Sequence, residues 1–235
     1  VELFPGYKAN RVDDDGEETE PDLLTPQIPV LLDVLDAYKI PIVGVDDYEA
    51  DDVIATYSKR EKGPIRIVTG DRDLFQLVDD KRDVKVVYLA KGISAHDLVD
   101  RKFIEEKYGI PGDRYALFAM IRGDASDGLP GIRGIGEKGA ATIAQHFSSL
   151  DEAISAAESS DDRLSANVRK KLVEGKEYAA IAPKLVHCAI DVPLPTIDLA
   201  TPKKLPSDAE ITRFKTELGL GSSIDRFSSV VSSLR

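Results

Sequence analysis

The sequence predicts an α/β fold, with a mostly parallel central sheet flanked by helices over residues 1–93 and a helical part over residues 94–235. Up to residue 93, short segments rich in Val and Ile alternate with amphipathic segments, as in parallel sheets whose strands are joined by helices. After residue 93, apolar residues recur every three to four positions between polar turns, which is the helical period.

Each predicted element rests on a local pattern. From Thr25 to Tyr38 apolar residues recur at helical spacing, and the prolines near the start of this segment fall where a missing amide donor costs little. Short apolar runs bounded by turns predict strands. The strands are predicted at 41–45, 65–69 and 84–89, and the helices at 48–61, from Asp73, at 94–110, 113–123, 137–147, 149–158 and onward to Cys188.

Three other segments complete the chain. Residues 12–22 are acidic and almost without apolar residues, which predicts disorder. Residues 191–208 are rich in proline and predict a loop, and the last 25 or so residues return to helical periodicity.

Composition limits the class of protein. No apolar run approaches the roughly 20 residues that a bilayer-spanning helix needs, and the single cysteine, Cys188, excludes an internal disulfide. We therefore expect a cytoplasmic protein without a membrane partner, and a monomer. The net charge of −11 is weak evidence against a nucleic-acid partner, because acid clusters filled by cations would present a different local field.

Three short segments concentrate carboxylates, beginning with DDYEADD at 46–52. Helix capping or an ordinary turn explains each segment taken alone. Each of these explanations, however, leaves carboxylates whose mutual repulsion has no compensating role. Convergence of all three on divalent cations explains them together. The predicted metal ligands are Glu49, Asp51, Asp52, Asp71, Asp73, Asp124 and Asp127.

The ligand type favours Mg²⁺ or Mn²⁺. All seven ligands supply oxygen, whereas His96, His146 and His187 lie outside the clusters, so zinc is not expected. Seven carboxylates exceed what one octahedral ion holds, which predicts two ions. The predicted reaction is metal-assisted hydrolysis of a phosphodiester.

Two further motifs predict a DNA partner. The segment GIRGIGEKG precedes an amphipathic helix, and its glycine amides can form a nest for a phosphate. A second segment, YKANR, places a ring and two cations on one turn, where they could stabilise a phosphate. The residues concerned are Gly131, Arg133, Gly134, Gly136 and Lys138 in the first, and Tyr7, Lys8 and Arg11 in the second.

Together, FPGYKANR, YEADD, VTGDRDLFQLV and GDASDGLPGIRGIGEKGA resemble, in that order, the motifs of the flap endonucleases, which include the 5′–3′ exonuclease domain of bacterial DNA polymerase I. The resemblance runs from about Phe4 to the C-terminus and is strongest through Phe147. It implies a PIN-like fold with a helix–three-turn–helix motif at about 117–147. It also implies a nuclease that uses two divalent metals to cut 5′ flaps, nicks and gaps in replication and repair.

The resemblance also assigns roles. Glu49, Asp51, Asp52 and Asp71 would serve one metal, while Asp73, Asp124 and Asp127 would serve the other. Residues 4–25 would form the base of a helical arch, with Lys8 and Arg11 as catalytic cations and Tyr7 beside them. A potassium ion would bind backbone carbonyls of the hairpin.

Several features depart from the family pattern. The family's first strand with its metal-binding Asp, and a second Asp that precedes the arch, are not in this sequence. We expect the strand to precede residue 1 in the complete protein. Gly128 stands where the family usually has Asn, and residues 13–20 are unusually acidic for an arch that faces DNA.

Two alternative functions remain open. A phosphatase-like α/β hydrolase would use Asp71 as the nucleophile and Asp73 as the acid. A non-catalytic binder of branched DNA would need neither metal nor the missing acids. The first leaves YKANR and the glycine-rich hairpin unexplained, whereas the second predicts binding that persists in EDTA.

Overall fold

The computed structural model describes residues 4–6, 23–200 and 204–233. The chain divides into two compact units, one containing residues 47–192 and the other containing residues 23–46 and the described residues from 193 onward. The division predicted at residue 93 remains a prediction, although the sheet continues beyond it.

A three-stranded sheet forms the centre of the first unit. Strand β1 (Ile65–Thr69) pairs in parallel with β2 (Val84–Tyr88), and β2 pairs antiparallel with β3 (Asp97–Val99). The buried side chains of Val84 and Val86 explain β2, since β-branched residues pack well on a pleated surface. The predicted strands at 65–69 and 84–89 are confirmed, and the sheet is mixed.

Helices cover the sheet. Helix α2 (Ala50–Arg60) precedes β1, and a short 3-10 helix, Asp73–Leu77, follows it. The helix predicted from Asp73 is therefore present as a single tighter turn. Its Leu74 and Phe75 are fully buried, and the 3-10 helix packs against α2, α4 and β2.

Two predicted elements are wrong. Residues 41–45 form neither a strand nor a helix, and Ile42 is exposed. An apolar run becomes a strand only where a neighbouring strand accepts its backbone hydrogen bonds, and no strand of the described residues pairs with this one. The helix predicted at 94–110 begins only at Arg101, because residues Asp97–Val99 pair with β2.

The remaining helices of the first unit follow the predicted periodicity. Asp100 caps α3 by accepting a 2.9 Å hydrogen bond from the Phe103 amide. The helices are α3 (Arg101–Tyr108), α4 (Tyr115–Arg122), α5 (Glu137–His146), α6 (Leu150–Glu158), α7 (Ala166–Glu174) and α8 (Lys176–Val186).

An aromatic cluster lies in the core of the first unit. The ring of Phe75 packs 5.0 Å from that of Tyr88 and 5.2 Å from that of Tyr115, and Phe118 packs 5.9 Å from Tyr115. Because Phe75 and Phe118 are fully buried, this cluster fixes the 3-10 helix and α4 relative to the sheet.

The second unit is helical. It contains α1 (Ile28–Ala37), preceded by a 3-10 turn, then α9 (Asp208–Thr212), a π-helical turn at Arg213–Glu217 and α10 (Ser222–Ser233). Val34 and Tyr38 pack in a core with Phe214, and the Tyr38 hydroxyl and Ser228 Oγ share a hydrogen bond. The predicted helix at 25–38 and the terminal helical segment are confirmed. Among the described residues, no helix is both long and apolar enough to span a bilayer.

Candidate metal and nucleic-acid site

A polar cavity of about 280 Å³ opens at the carboxyl end of β1. In α/β proteins this edge of the sheet is the usual position of a ligand site. Four carboxylates from two distant segments meet in it, accompanied by one arginine. The lining residues are Gly70, Asp71, Arg72, Asp73, Tyr88, Asp124, Ser126 and Asp127.

The first two carboxylates sit on the turn that follows β1. The Asp71 amide donates to Thr69 Oγ1 at 2.9 Å, and Asp71 Oδ1 accepts from the Asp73 amide at 2.8 Å. These bonds bend the chain into the 3-10 helix that carries Asp73. One oxygen of Asp71 therefore has the ordinary role of a turn-forming aspartate.

Asp73 is the carboxyl group that the surrounding negative charge affects most. Burial raises its pKa, and the nearby carboxylates of Asp71, Asp124 and Asp127 raise it further, to about 6. A carboxyl group with a pKa this high is costly to keep ionised at neutral pH. The cavity would therefore be stabilised by an added cation.

Asp124 and Asp127 belong to a loop that is closed at its base. Asp124 and Leu129 exchange two backbone hydrogen bonds, of 2.9 and 2.7 Å. A Cβ added to Gly123 would lie 2.5 Å from the Gly131 amide nitrogen, so these two backbones approach as closely as only glycine permits. The third acid cluster and the glycine-rich hairpin therefore form one continuous structure.

Asp124 is held by several donors. Its Oδ1 accepts from the Ser126 amide at 2.9 Å and from the Ser126 hydroxyl, and its Oδ2 accepts from Arg72 Nη2 at 2.7 Å. Burial would raise the pKa of Asp124, but the hydrogen bonds from Ser126 and Arg72 lower it to about 2. Asp124 is therefore ionised at neutral pH, and Arg72 is its principal counter-charge.

The first acid cluster lies at the N-terminus of α2 and does not line the cavity. Asp52 Oδ2 accepts from the Glu49 amide at 3.1 Å, and Asp52 Oδ1 accepts from the Ala189 amide at 2.7 Å. Asp52 thus caps the helix and ties it to residue 189. The seven carboxylates do not all meet in one cavity: the structure brings four together and leaves Glu49, Asp51 and Asp52 at the helix end.

Cys188 connects the two groups of acids. Burial, followed by the charges of Asp51, Asp52 and Asp73, raises the pKa of its thiol to about 12. The Cys188 amide donates at 3.3 Å to Gln76 Oε1, on the 3-10 helix that carries Asp73. The next amide, that of Ala189, donates to Asp52. The N-terminus of α2 therefore faces the same region as Asp73, without sharing its cavity.

The donor chemistry suits a hard divalent cation, because every candidate ligand supplies oxygen and Asp73 has a raised pKa. As the side chains stand, however, no three His, Cys, Asp or Glu groups among the described residues are arranged to hold a metal. Asp124 is instead paired with Arg72. The residue types fit a metal, and their geometry requires side-chain movement to bind it.

The glycine-rich hairpin presents polar groups to solvent. Ile132 and Ile135 are buried and anchor it, and the Ile135 amide donates to the Ile132 carbonyl at 2.9 Å. Four predicted DNA-binding residues are exposed, namely Arg133, Gly134, Gly136 and Lys138. Gly131 is buried against the backbone of Arg122, so its position is that of a packing glycine.

The predicted catalytic residues Tyr7, Lys8 and Arg11 lie outside the described residues, as does the whole of segment 12–22. Conversely, sequence analysis overlooked Arg72, Arg122 and Tyr88. The two arginines stand inside the acidic motifs GDRD and RGDASD, and a cation among clustered acids was a signal that could have identified them.

An acidic cavity at the carboxyl edge of a sheet, joined through one loop to an exposed glycine-rich hairpin, suits a metal-dependent enzyme that acts on phosphate esters. Family models match almost the whole chain. Residues 1–109 match the 5′–3′ exonuclease N-terminal resolvase-like domain, and residues 110–208 match the 5′–3′ exonuclease C-terminal SAM fold.

The names of curated relatives agree with the family models. The chain is 49% identical to a 5′–3′ exonuclease of Streptomyces coelicolor, over 96% of this chain and 77% of that protein. It is 39% identical to a 5′–3′ exonuclease of Mycobacterium tuberculosis, over 100% of this chain and 78% of that protein. The chain therefore belongs to the 5′–3′ exonuclease family, and the predicted family and enzyme class are confirmed.

Solved structures show the same fold. The bacteriophage T5 D15 flap endonuclease, in complex with DNA and metal ions, matches 79% of this chain and 68% of its own with a TM-score of 0.59 and 20% identity. The catalytic core of Rad2 with a DNA substrate matches 88% of this chain and 70% of its own, with a TM-score of 0.52 and 17% identity. The predicted α/β sheet with a helical part is confirmed.

Proposed function

We propose that this protein hydrolyses DNA phosphodiesters at 5′ flaps, nicks and gaps, as a structure-specific nuclease that depends on Mg²⁺ or Mn²⁺. The observation that carries the proposal is the meeting of Asp71, Asp73, Asp124 and Asp127 in one cavity. A largely buried carboxyl group whose pKa is raised by burial and by neighbouring carboxylates, as that of Asp73 is, is unfavourable for folding and is typical of functional sites.

The four cavity carboxylates would hold the divalent cations, and Asp51 would approach them from the α2 side. When bound, such cations neutralise the negative charge that develops on a phosphodiester during hydrolysis. The chain's own groups orient the ligands: the Asp73 amide fixes Asp71, and Ser126 fixes Asp124. The position of each ligand matters because misplacement by about 1 Å can cost about 100-fold in rate.

The hairpin would grip the DNA backbone. Gly136 precedes α5, whose first-turn amides have no partner within the helix, and Arg133 and Lys138 are exposed on either side of it in the sequence. Such contacts bind phosphates and carry no sequence information, which suits a nuclease that recognises DNA structure. Because loop 123–131 joins the hairpin to Asp124, duplex binding would position a phosphodiester at the cavity.

A potassium ion at the hairpin is also proposed. The Gly134 carbonyl already accepts a 2.6 Å hydrogen bond from the ammonium of Lys171. A potassium ion would therefore use other hairpin carbonyls, and Lys171 supplies part of the positive charge there. The proposed roles of Tyr7, Lys8 and Arg11 in holding the phosphate, the replication and repair setting, the monomeric state and a cytoplasmic location rest on the motifs and on the family.

The decisive experiment is cleavage of a 5′-labelled flap duplex in Mg²⁺, Mn²⁺ or EDTA. We expect cleavage near the flap junction with either metal and none in EDTA. Hydrolysis of a small phosphoester without flap cleavage would support the phosphatase-like alternative, whereas binding without cleavage in any metal would support the non-catalytic binder.

Duplex binding is tested separately with Lys138→Ala. Because Lys138 is proposed to contact one phosphate, its loss should weaken duplex binding and reduce the salt slope by about one. Lys102→Ala is the matched control, since Lys102 is an exposed helix lysine paired with Glu106 at 3.6 Å. Equal weakening by both substitutions would argue against the hairpin as the interface.

A further inference from the structure

Two arginine side chains lie near the same oxygen of Asp124, but they differ in how exposed they are and therefore in how easily they can move away from it. Arg72 Nη2 lies 2.7 Å from Asp124 Oδ2, and Arg122 Nη2 lies 3.5 Å from it. The side chain of Arg72 is 43% exposed, whereas that of Arg122 is 10% exposed.

Arg122 is fixed by its surroundings. Its Nε donates to the Gly123 carbonyl at 3.1 Å, and its guanidinium lies 5.1 Å from the centre of the Phe118 ring. Moving this charge would require repacking the end of α4. Arg72 stands in the turn between Asp71 and Asp73, and its side chain can rotate into solvent without such a rearrangement.

The direct bond from Arg72 conflicts with metal binding. A divalent ion that uses Asp124 Oδ2 would lie within about 2–2.5 Å of that oxygen, while the guanidinium nitrogen lies 2.7 Å from it. Two cations so close in a partly buried cavity repel strongly. The two cations therefore compete for this oxygen.

We propose that Arg72 is an internal counter-ion that competes with the divalent cation for Asp124, so that metal binding displaces the Arg72 side chain. This inference rests on the proposed function of the cavity. It makes Arg72 a positioning residue that lowers metal affinity and keeps Asp124 neutralised while no metal is bound. Arg122 would stay in place when Arg72 leaves and supply a positive charge 3.5 Å from Asp124 Oδ2, without a hydrogen bond to it.

The test is titration of Mn²⁺ into the EDTA-treated and dialysed full chain, followed by calorimetry, without DNA. Arg72→Gln removes the competing charge, so we expect Mn²⁺ to bind about three- to tenfold more tightly, the range for a partly exposed hydrogen-bonded ion pair. Arg72→Lys keeps a positive charge at the same position and should stay within about twofold of the wild type.

Two matched controls separate direct competition from a general change of charge. Arg66→Gln removes an equally exposed arginine that pairs with Asp83 at 3.0 Å, at the other end of β1. Lys107→Gln removes a cation that lies 5.8 Å from the ring of Tyr88, which lines the cavity, and that has no ion pair with Asp124 in the structure. Neither should tighten Mn²⁺ binding by more than about twofold.

The outcomes are distinct. Unchanged or weaker Mn²⁺ binding by Arg72→Gln overturns the inference, as does equal tightening by Lys107→Gln. If the wild type binds Mn²⁺ and cuts flap DNA while Arg72→Gln binds no more tightly, the inference fails and the proposed function stands. If neither the wild type nor Arg72→Gln binds Mn²⁺, the metal-dependent function fails together with the inference.

Discussion

The two ends of β1 carry opposite charge, and the charged side chains have a different role at each end. At the carboxyl end lies the acidic cavity with its four aspartates. At the amino end lies a cavity of about 530 Å³ lined mainly by cations. The residues around this second cavity are Lys59, Arg60, Glu61, Lys62, Gly63, Pro64, Lys81, Arg82 and Asp83.

At the amino end the charges satisfy the backbone. Arg82 Nη2 donates to the carbonyls of Ser58 at 2.6 Å and Glu61 at 2.8 Å, where α2 ends and leaves carbonyls unbonded. Arg66 pairs with Asp83 at 3.0 Å. At the carboxyl end the charges oppose folding, because Asp73 has neighbours of the same sign. The charges at the amino end thus stabilise the fold, whereas the charges at the carboxyl end would be neutralised by the proposed cation.

The largest expected effect is loss of cleavage at the acidic end. Asp124→Asn removes a proposed metal ligand, so we expect flap cleavage to fall by at least about 100-fold, as when a group that stabilises the transition state is removed. Flap binding should survive, because the hairpin is unchanged. The measurement is single-turnover cleavage with a parallel binding assay, using circular dichroism to confirm folding.

Asp83→Asn is the control from the amino end. Asp83 is an exposed aspartate that also pairs with an arginine, so the two substitutions remove the same charge from opposite ends of one strand. Comparable losses of cleavage in both variants would remove the functional distinction between the ends.

The next effect concerns stability and pH. Since the pKa of Asp73 is about 6 in the folded protein and lies above its ordinary value of 3.8, ionisation disfavours folding. Stability in EDTA should therefore fall as pH rises from about 4 to 6 and stay reduced above it. Asp73→Asn should remove this loss, and so raise the free energy of unfolding by on the order of 2 kcal/mol at pH 8 and by much less at pH 4.

Urea unfolding at the two pH values measures this prediction. A gain from Asp73→Asn that is equal at pH 4 and pH 8 would show that the carboxylate charge is not its cause. Added Mn²⁺ should reduce the gain at pH 8, since the cation neutralises the same charge.

A smaller effect is expected at the amino end. Arg82→Ala leaves the last carbonyls of α2 without their donor, so we expect a loss of about 1–2 kcal/mol in the free energy of unfolding. Cleavage by the folded fraction should be unchanged. Lys81→Ala, an exposed neighbour in the same cavity, is the control and should cost less than about 0.5 kcal/mol.

The smallest expected effect is on the reactivity of Cys188. Burial and three nearby acids raise the pKa of its thiol, so alkylation at pH 8 should be slow. Asp73→Asn removes one of these charges and should accelerate alkylation in EDTA by about two- to fivefold. Acceleration of the same size by Asp83→Asn would mean that Cys188 does not report the charge of the acidic end.

The local sequence pattern correctly predicted those elements whose tertiary contacts favour the same conformation as their hydrophobic periodicity. The segments at 65–69 and 84–88 become strands because each is rich in β-branched residues and each finds the other as a partner. The helices from Tyr115 to Val186 appear because their apolar stripes all pack in one core. In these segments the local preference and the tertiary contacts favour the same conformation.

Prediction failed where a partner outside the segment decided the structure. Residues 97–99 carried a helical period, yet pairing with β2 converts them into a strand. Residues 41–45 had the composition of a strand but have no strand beside them among the described residues. Hydrogen bonds between distant segments cannot be counted from either segment alone.

The amino-acid sequence alone was sufficient to identify the family, the three acid clusters and the glycine-rich hairpin, and to predict hard divalent cations, because these depend on residue type and short spacing. Tertiary structure decided which acids share a cavity and that Asp52 ties α2 to residue 189. It also paired Arg72 with Asp124. These depend on distances between segments far apart in the chain, which follow from how the sheet and helices pack.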